Sequence, residues 1–372
     1  MRIAVLGGGV VGVASAWYLA VDGHEVTLVD RQSGPALETS FANGGQISVS
    51  HAEPWANPGA PFKILKWLAR DDAPLLFRPR FDWRQWRWAV TFLLECLPSR
   101  TERNTIQCLS LALYSRECLK ALRNDTGISY DQLERGILQF YTDPVEFARG
   151  ARAAELMRRY GCDRDVKTPD ECIAIEPALA QCRDRLAGGI YTASDESGDA
   201  KTFTSELARM AAERGVAFHW ETEVTGLSVA GEEIDAVHVV RDRCRFDVLD
   251  ADAYVMALGS YSPLVLSPIG VPCNVYPAKG YSATIDIAGH AGAPSASLTD
   301  SDWKIVLTRL GHRLRVAGTA ELSGWDRSLD RTRCEALTAR TFDLFPDAGD
   351  RDGVRYWTGL RPATPSNVPL LG

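Results

Sequence analysis

Three glycines in the first twelve residues are spaced for phosphate chemistry. Gly7, Gly9 and Gly12 form a G-x-G-x-x-G pattern directly after the apolar run Arg2–Leu6. In such a pattern the first glycine permits a tight turn. The second lets backbone approach a pyrophosphate, and the third lets helix and strand pack closely. The segment Val5, Leu6, Gly7, Gly8, Gly9, Val10, Val11 and Gly12 is therefore expected to line a dinucleotide, with its phosphates at the positive end of a helix. Asp30 follows Gly12 by 18 residues and ends the next apolar run. A carboxylate at that place accepts hydrogen bonds from an adenosine ribose. Metal chemistry finds less support. The six histidines form no H-x-H or H-x-x-x-H pair, and the nine cysteines include no C-x-x-C. No metal site is expected, and the cysteines read as free thiols.

These residues need elements to hold them. Arg2–Leu6 reads as a buried strand, Val10–Val21 as a helix closed by Asp22 and Gly23, and Glu25–Asp30 as a second strand ending in the acid. The chain then enters a loop, Gln32–Gly59, rich in Gly, Ser, Asn and Pro. A Trp-rich helical region follows, and strands return only near Gly189. A nicotinamide domain is built from two consecutive βαβαβ halves. The interruption favours FAD, and a plain NAD dehydrogenase lacks the second unit it would need. Helices are expected at Asn104–Asn124, Pro144–Tyr160, Thr202–Arg214 and Glu335–Leu344, interleaved with strands, which gives an α/β class.

Composition sets outer bounds. The chain has 372 residues, 45% apolar and 24% charged, with 41 Lys+Arg against 48 Asp+Glu for a net −7. That excludes wholesale disorder and a broadly basic nucleic-acid binder. No apolar run reaches the roughly 20 residues a bilayer span takes, and the N-terminus lacks the features of a signal peptide. A cytoplasmic protein is expected. One stretch departs from the average: residues 61–103 carry nine Lys/Arg and five acids, and five of the ten tryptophans fall between Trp55 and Trp88. Packing as an insert with snorkelling arginine stems is the plainer reading. The sharper one is peripheral contact with anionic lipid on the inner face of the cell membrane.

Four further stretches, SFANGGQI (40–47), ADAYVMALGSYS (251–262), YPAKGYS (276–282) and WTGLRPATP (357–365), carry a resemblance. The chain resembles the small subunit of D-amino acid dehydrogenase, within the FAD-dependent D-amino acid oxidase-like family, from its first residue to its last. The resemblance implies a discontinuous Rossmann-like FAD-binding domain of glutathione-reductase type and an α+β substrate domain with a mixed antiparallel sheet. The expected division is 1–52, 188–263 and 355–372 for the FAD-binding parts, with 53–187 and 264–354 for the substrate domain. The family pattern runs on past Gly372 through a Gly-rich segment and a helix. In addition Ser366 and Asn367 replace a usual Asp-Gly. An incomplete last FAD-binding part is therefore expected.

The implied reaction is oxidation of a D-amino acid, D-alanine-like, to a 2-oxo acid and ammonia. Hydride passes from Cα to FAD, and the electrons go on to a quinone or another respiratory-chain acceptor. Arg361 is assigned to the substrate carboxylate, because its planar fork holds a carboxylate bidentately. Tyr276 and Tyr281 are candidates for hydrogen bonds to carboxylate or amine, and Lys279 for a place near the flavin. Asn43, Gly44, Gly45 and Gln46 are assigned to the flavin ring, Val224 to the adenine, and Gly259 and Ser260 to close approach of a strand end. Two alternatives remain open here. One is an oxidase of glycine, sarcosine or D-proline. The other, from a different class, is a catalytically defective nucleotide-binding remnant.

Overall fold

The run Arg2–Leu6 is buried at four of its five positions because it becomes the interior of a parallel sheet. In the computed structural model, which describes residues 1–67, 75–242 and 244–371, this strand pairs in register with Glu25–Val29 on one side and Ala253–Met256 on the other. Ala217–His219 extends the sheet beyond Glu25–Val29, again parallel. Arg70, Asp71 and Asp72 of the basic stretch, and Gly372, lie outside the described residues. The first helix, Val10–Val21, crosses between the first two strands. It packs Val13, Ala16 and Trp17 against Leu207, Ala208 and Ala211 of the Ala200–Glu213 helix. A three-stranded antiparallel meander, Thr222–Ala230, Glu233–Arg241 and Arg245–Leu249, covers the other face through Val237, Val239 and Leu249.

The second layer is a nine-stranded mixed sheet. Its backbone order runs from the last strand, Arg355–Ala363, through the long strand Tyr276–Asp286, the bulged strand Arg313–Leu322, Ile305–Leu310 and Ser297–Asp300. It continues to Ile137–Tyr141, Gly188–Thr192 and Asp165–Lys167. Most pairs are antiparallel; Ser297–Asp300 with Ile137–Tyr141 and Leu75–Phe77 with the bulged strand are parallel. One face carries the largest core, where Tyr281, Ala283 and Ile285 meet Leu337 and Leu344 of the Arg331–Leu344 helix. Each such fully buried aliphatic side chain stabilises the fold by about 1.5–3 kcal/mol.

The expected domain division is corrected at two places. Arg355–Ala363 was assigned to the FAD-binding part, but it pairs along its whole length with the long strand of the large sheet. Gly188–Thr192 likewise pairs with Ile137–Tyr141 and Asp165–Lys167. Local sequence pattern does not say which sheet a strand joins.

The seam between first strand and first helix is tight. A Cβ on Gly12 would lie 1.8 Å from the carbonyl oxygen of Gly7. Backbone there has no free direction of retreat, so Gly12→Ala is expected to cost about 3 kcal/mol or more of stability. Urea denaturation monitored by circular dichroism measures it.

Candidate active site

At the nucleotide end, Gly9 is the N-cap of the first helix, and the first turn holds no acidic side chain. Ser40 Oγ accepts from Val10 N at 3.1 Å. A Cβ on Gly9 would meet only that Ser40 Oγ, at 3.5 Å, so the protein itself leaves the space above Gly9 open. Gly7, at φ +117°, would instead bring a Cβ within 2.5 Å of Ala257 O. Its lack of a side chain lets the end of the Ala253–Met256 strand close on the loop. Asp30 accepts from Gly8 N (2.6 Å) and from Gln32 N (2.7 Å). Burial raises its pKa, against the lowering effect of those two N–H groups. Each carboxylate oxygen keeps a second lone pair for a ligand hydroxyl.

On the substrate side, alternation divides the long strand. Tyr281, Ala283 and Ile285 point into the helical core, whereas Ala278, Gly280 and Ser282 lie on the opposite face. Arg361 pairs across from Ala278, and its guanidinium reaches over Gly280. A Cβ there would lie 2.2 Å from Nη1 and 2.5 Å from Cζ. Gly280 pairs with Gly359, over which the Trp357 ring leans in the same way, at 2.1 Å from an added Cβ. Two facing glycines thus give up their side-chain space to neighbours, the Arg361 guanidinium lying over Gly280 and the Trp357 ring over Gly359. Phe41 packs against Trp357 at 6.0 Å between ring centroids.

Arg361 Nη1 donates to Thr319 O at 2.9 Å. Among the described residues no carboxylate pairs with this guanidinium. It keeps some accessible surface but is otherwise surrounded by protein, and that desolvation lowers its pKa to about 10. A cation held this way favours an anionic partner, and a carboxylate matches its two-pronged geometry.

The loop after the second strand lies across the same face. Gly44 fits against Val306, where a Cβ would be 2.6 Å from Cγ2. Thr308 Oγ1 donates to Gly44 O (2.8 Å) and Arg315 Nη1 to Asn43 O (3.2 Å). Farther along, Asp195 accepts from Val49 N and Ser48 Oγ, both at 2.9 Å. Thr39 Oγ1 and Ser260 Oγ both donate to Leu360 O, at 2.7 and 2.9 Å, and so tie the nucleotide layer to the strand that carries Arg361.

Residues 2–372 match the family model of the DAO group, described as FAD dependent oxidoreductase. The chain belongs to this family of FAD-dependent oxidoreductases. It is 55% identical over 372 residues to a D-amino acid dehydrogenase of Dechloromonas aromatica, covering 100% of this chain and 89% of the relative. A D-amino acid dehydrogenase of Paramagnetospirillum magneticum is 53% identical, with 100% and 87% covered. Among solved structures, glycine oxidase from Geobacillus kaustophilus superposes with a TM-score of 0.74 at 22% identity, covering 100% of this chain and 85% of that one. L-proline dehydrogenase from P. horikoshii gives 0.71 at 19%, with 98% and 82% covered. At such identity these two speak to the fold alone.

The residues present fit FAD in this oxidoreductase. The space above Gly9 leaves room for a pyrophosphate, the first turn keeps the Val11 and Gly12 N–H groups without a side-chain acceptor among the described residues, and Asp30 keeps lone pairs that ribose hydroxyls could use. Val224 lies half-buried on the edge strand of the meander, beside a bulge at Thr225. Gly259, at φ +55°, begins the turn that brings Ser260 to Leu360.

Several expected roles move. Asn43 Oδ1 accepts from Gly45 N within its own loop (3.0 Å). The Gln46 amide donates to Ser297 Oγ (2.9 Å) and Thr299 Oγ1 (3.1 Å) of the large sheet. These amides latch the loop to itself and to the large sheet. Tyr281 is fully buried and donates to Glu321 Oε2 at 2.7 Å, on the face opposite Arg361. Burial, reinforced by Glu321, raises its pKa. Tyr276 is fully buried too, its hydroxyl on Asp82 at 3.3 Å, and burial raises its pKa. Lys279 lies between Asp326 (3.0 Å) and Glu321 (3.8 Å), with 1% of its surface exposed. The sequence reading did not single out Gly280, Thr319, Trp357 or Thr39. Glycine within strands was the available signal for the first.

Gly9 and Gly12 are expected to separate by phenotype. Gly9→Val should cost about 1 kcal/mol of stability yet purify without flavin. The flavin absorbance of the purified variant, next to its circular dichroism spectrum, measures both.

Proposed function

We infer that this chain is an FAD-dependent D-amino acid dehydrogenase, oxidising D-amino acids to 2-oxo acids and ammonia and passing electrons to an acceptor other than oxygen. The observation that carries the reading is the desolvated Arg361 guanidinium, bound to one carbonyl and lying over Gly280, in a chain 55% identical to a protein of that name. FAD, when bound, supplies the hydride acceptor for the substrate Cα. The protein's own part is placement. Arg361 takes the α-carboxylate through the N–H groups that Thr319 leaves free. Trp357, packed against Phe41, lies on the same face as Arg361 and helps to exclude water there. No strong side-chain base is required, because a neutral amine releases hydride without one. Fixing Cα relative to the acceptor is therefore the main catalytic contribution of the fold.

The finer reading of the acceptor is a membrane quinone, reached by docking on anionic lipid. No helix among the described residues is long and apolar enough to cross a membrane. The Trp83–Glu95 helix does, however, carry two apolar stripes. Its inner stripe buries Trp88 and Phe92, and Trp88 Nε1 donates to Ala363 O at the end of the strand that bears Arg361. The outer stripe leaves Trp83, Trp86, Val90 and Leu93 exposed, with Phe81 beyond the helix start fully exposed. Arg80, Arg84 and Arg87 flank it. Aromatic and basic side chains together suit a bilayer surface of negative charge.

Three outcomes test these readings. The FAD-loaded protein should bleach anaerobically with D-alanine and not with L-alanine; a spectrum unmoved by D-alanine removes the activity. Arg361→Ala should retain flavin and raise KM for D-alanine about 100-fold, the loss of a charged two-bond contact. Flotation with phosphatidylglycerol vesicles should recover the wild type and lose the Phe81→Ser, Trp83→Ser, Trp86→Ser variant. Equal recovery of the two, or none of either, removes the lipid contact.

A further inference from the structure

The position of the Arg361 guanidinium is set by an irregularity two strands away. Lys279 of the long strand pairs with Glu321 of the bulged strand, and Tyr281 pairs with Gly318. Gly280 therefore faces two residues, Thr319 and Ala320, where a regular ladder would give it one. The extra residue places Thr319 at φ +57°. A β-branched side chain is a genuine outlier in that region. Its hydroxyl is buried without a partner among the described residues. Strained backbone of this kind persists only where the surroundings over-determine it, and it gathers at ligand clamps. The carbonyl of this same Thr319 receives Arg361 Nη1, and the guanidinium crosses to it over Gly280, the one residue of the long strand between the two ladder pairs.

We propose that the Thr319 bulge and Gly280 together form a positioning device for Arg361. The bulge turns one carbonyl toward the guanidinium, and Gly280 leaves the path open, so that the fork is locked for a substrate carboxylate. Thr319 is thus a positioning residue: it acts through Arg361 and is not required to touch substrate. On the opposite face the device is braced by buried side chains. Glu321, 3% exposed, accepts from Tyr281 Oη (2.7 Å) and Arg78 Nε (3.1 Å) and lies 3.8 Å from Lys279 Nζ. These contacts fix the register on the Glu321 side of the bulge. A slack arginine side chain would lose its rotamers on binding each substrate; one already held does not.

The inference rests on the carboxylate-clamp reading of Arg361, and the test separates the two. FAD-loaded wild type, Gly280→Ala, Thr319→Gly and Arg361→Ala are compared on D-alanine and on D-alaninamide, which lacks the carboxylate, with an artificial electron acceptor. Gly280→Ala pushes the guanidinium aside and should raise KM for D-alanine at least tenfold. Its kinetics with D-alaninamide and its flavin spectrum should stay within twofold of wild type. Thr319→Gly accepts the positive φ without strain and so folds, but frees the carbonyl to wander; KM for D-alanine should rise two- to fivefold with kcat held. If both variants keep the wild-type preference for D-alanine over the amide while Arg361→Ala loses it, the positioning device is overturned and the clamp stands. If both substrates suffer equally in Gly280→Ala and Thr319→Gly, the bulge is merely structural and the proposal fails. If Arg361→Ala leaves the preference intact, the clamp itself is wrong and the device falls with it.

Discussion

Everything on the substrate side follows from one arginine whose charge the fold desolvates without neutralising. Several other arginines of the chain have carboxylates: Arg31 and Arg327 share Glu38, Arg123 binds Glu196, and Arg313 lies between Asp131 and Asp199. Arg361 has a single carbonyl oxygen. Leaving a cation in that state is costly, and the cost is relieved when an anion arrives. Two cross-strand glycines place no side chains of their own there and so leave room for the guanidinium and for the Trp357 ring.

The second requirement is that the nucleotide layer and this guanidinium keep a fixed relation. Hydride transfer depends on a near-attack geometry, and small errors of placement cost rate. The structure meets this with contacts concentrated at one point. Leu360 O, one residue before Arg361, receives hydroxyls from Thr39 and Ser260, which come from two separate segments of the nucleotide layer. The loop between, residues 40–51, is fastened along its length by Gln46, Thr308, Arg315 and Asp195. The nucleotide layer and the strand that carries Arg361 are therefore joined by side-chain hydrogen bonds that converge on one backbone carbonyl.

How far the sequence revealed this depends on the range of the interaction concerned. The dinucleotide cradle was legible because its parts, Gly7 to Asp30, lie within one β-α-β unit whose spacing is written in consecutive residues. Arg361 stood out in the sequence through its motif, but the carbonyl that holds it did not. The partners of the Gln46 amide were not legible, since an amide in a Gly-rich loop looks free until the fold brings up Ser297 and Thr299, some 250 positions later. The surroundings of Tyr281 and Lys279 were hidden for a related reason. Alternation says that they share a face with each other and not with Gly280, but only the tertiary structure brings Glu321 to that face. The bulge at Thr319 had no local signal at all. It is a relation of register between two strands, and threonine is not the residue that positive φ ordinarily selects.

The long strand also carries a safeguard in its two faces. Its even-numbered residues from Ala278 to Ser282 are small and uncharged and lie beneath an arginine, whereas Lys279 and Tyr281 meet buried acid on the reverse side. A slip of one residue in pairing would exchange the faces. It would set the lysine ammonium against the Arg361 cation and leave the Glu321 carboxylate facing small side chains without its partners. Misregistered pairing is thus penalised by like charges meeting on one side and an uncompensated charge on the other. The arrangement that prepares this surface for a carboxylate is also the one that proofreads its own assembly.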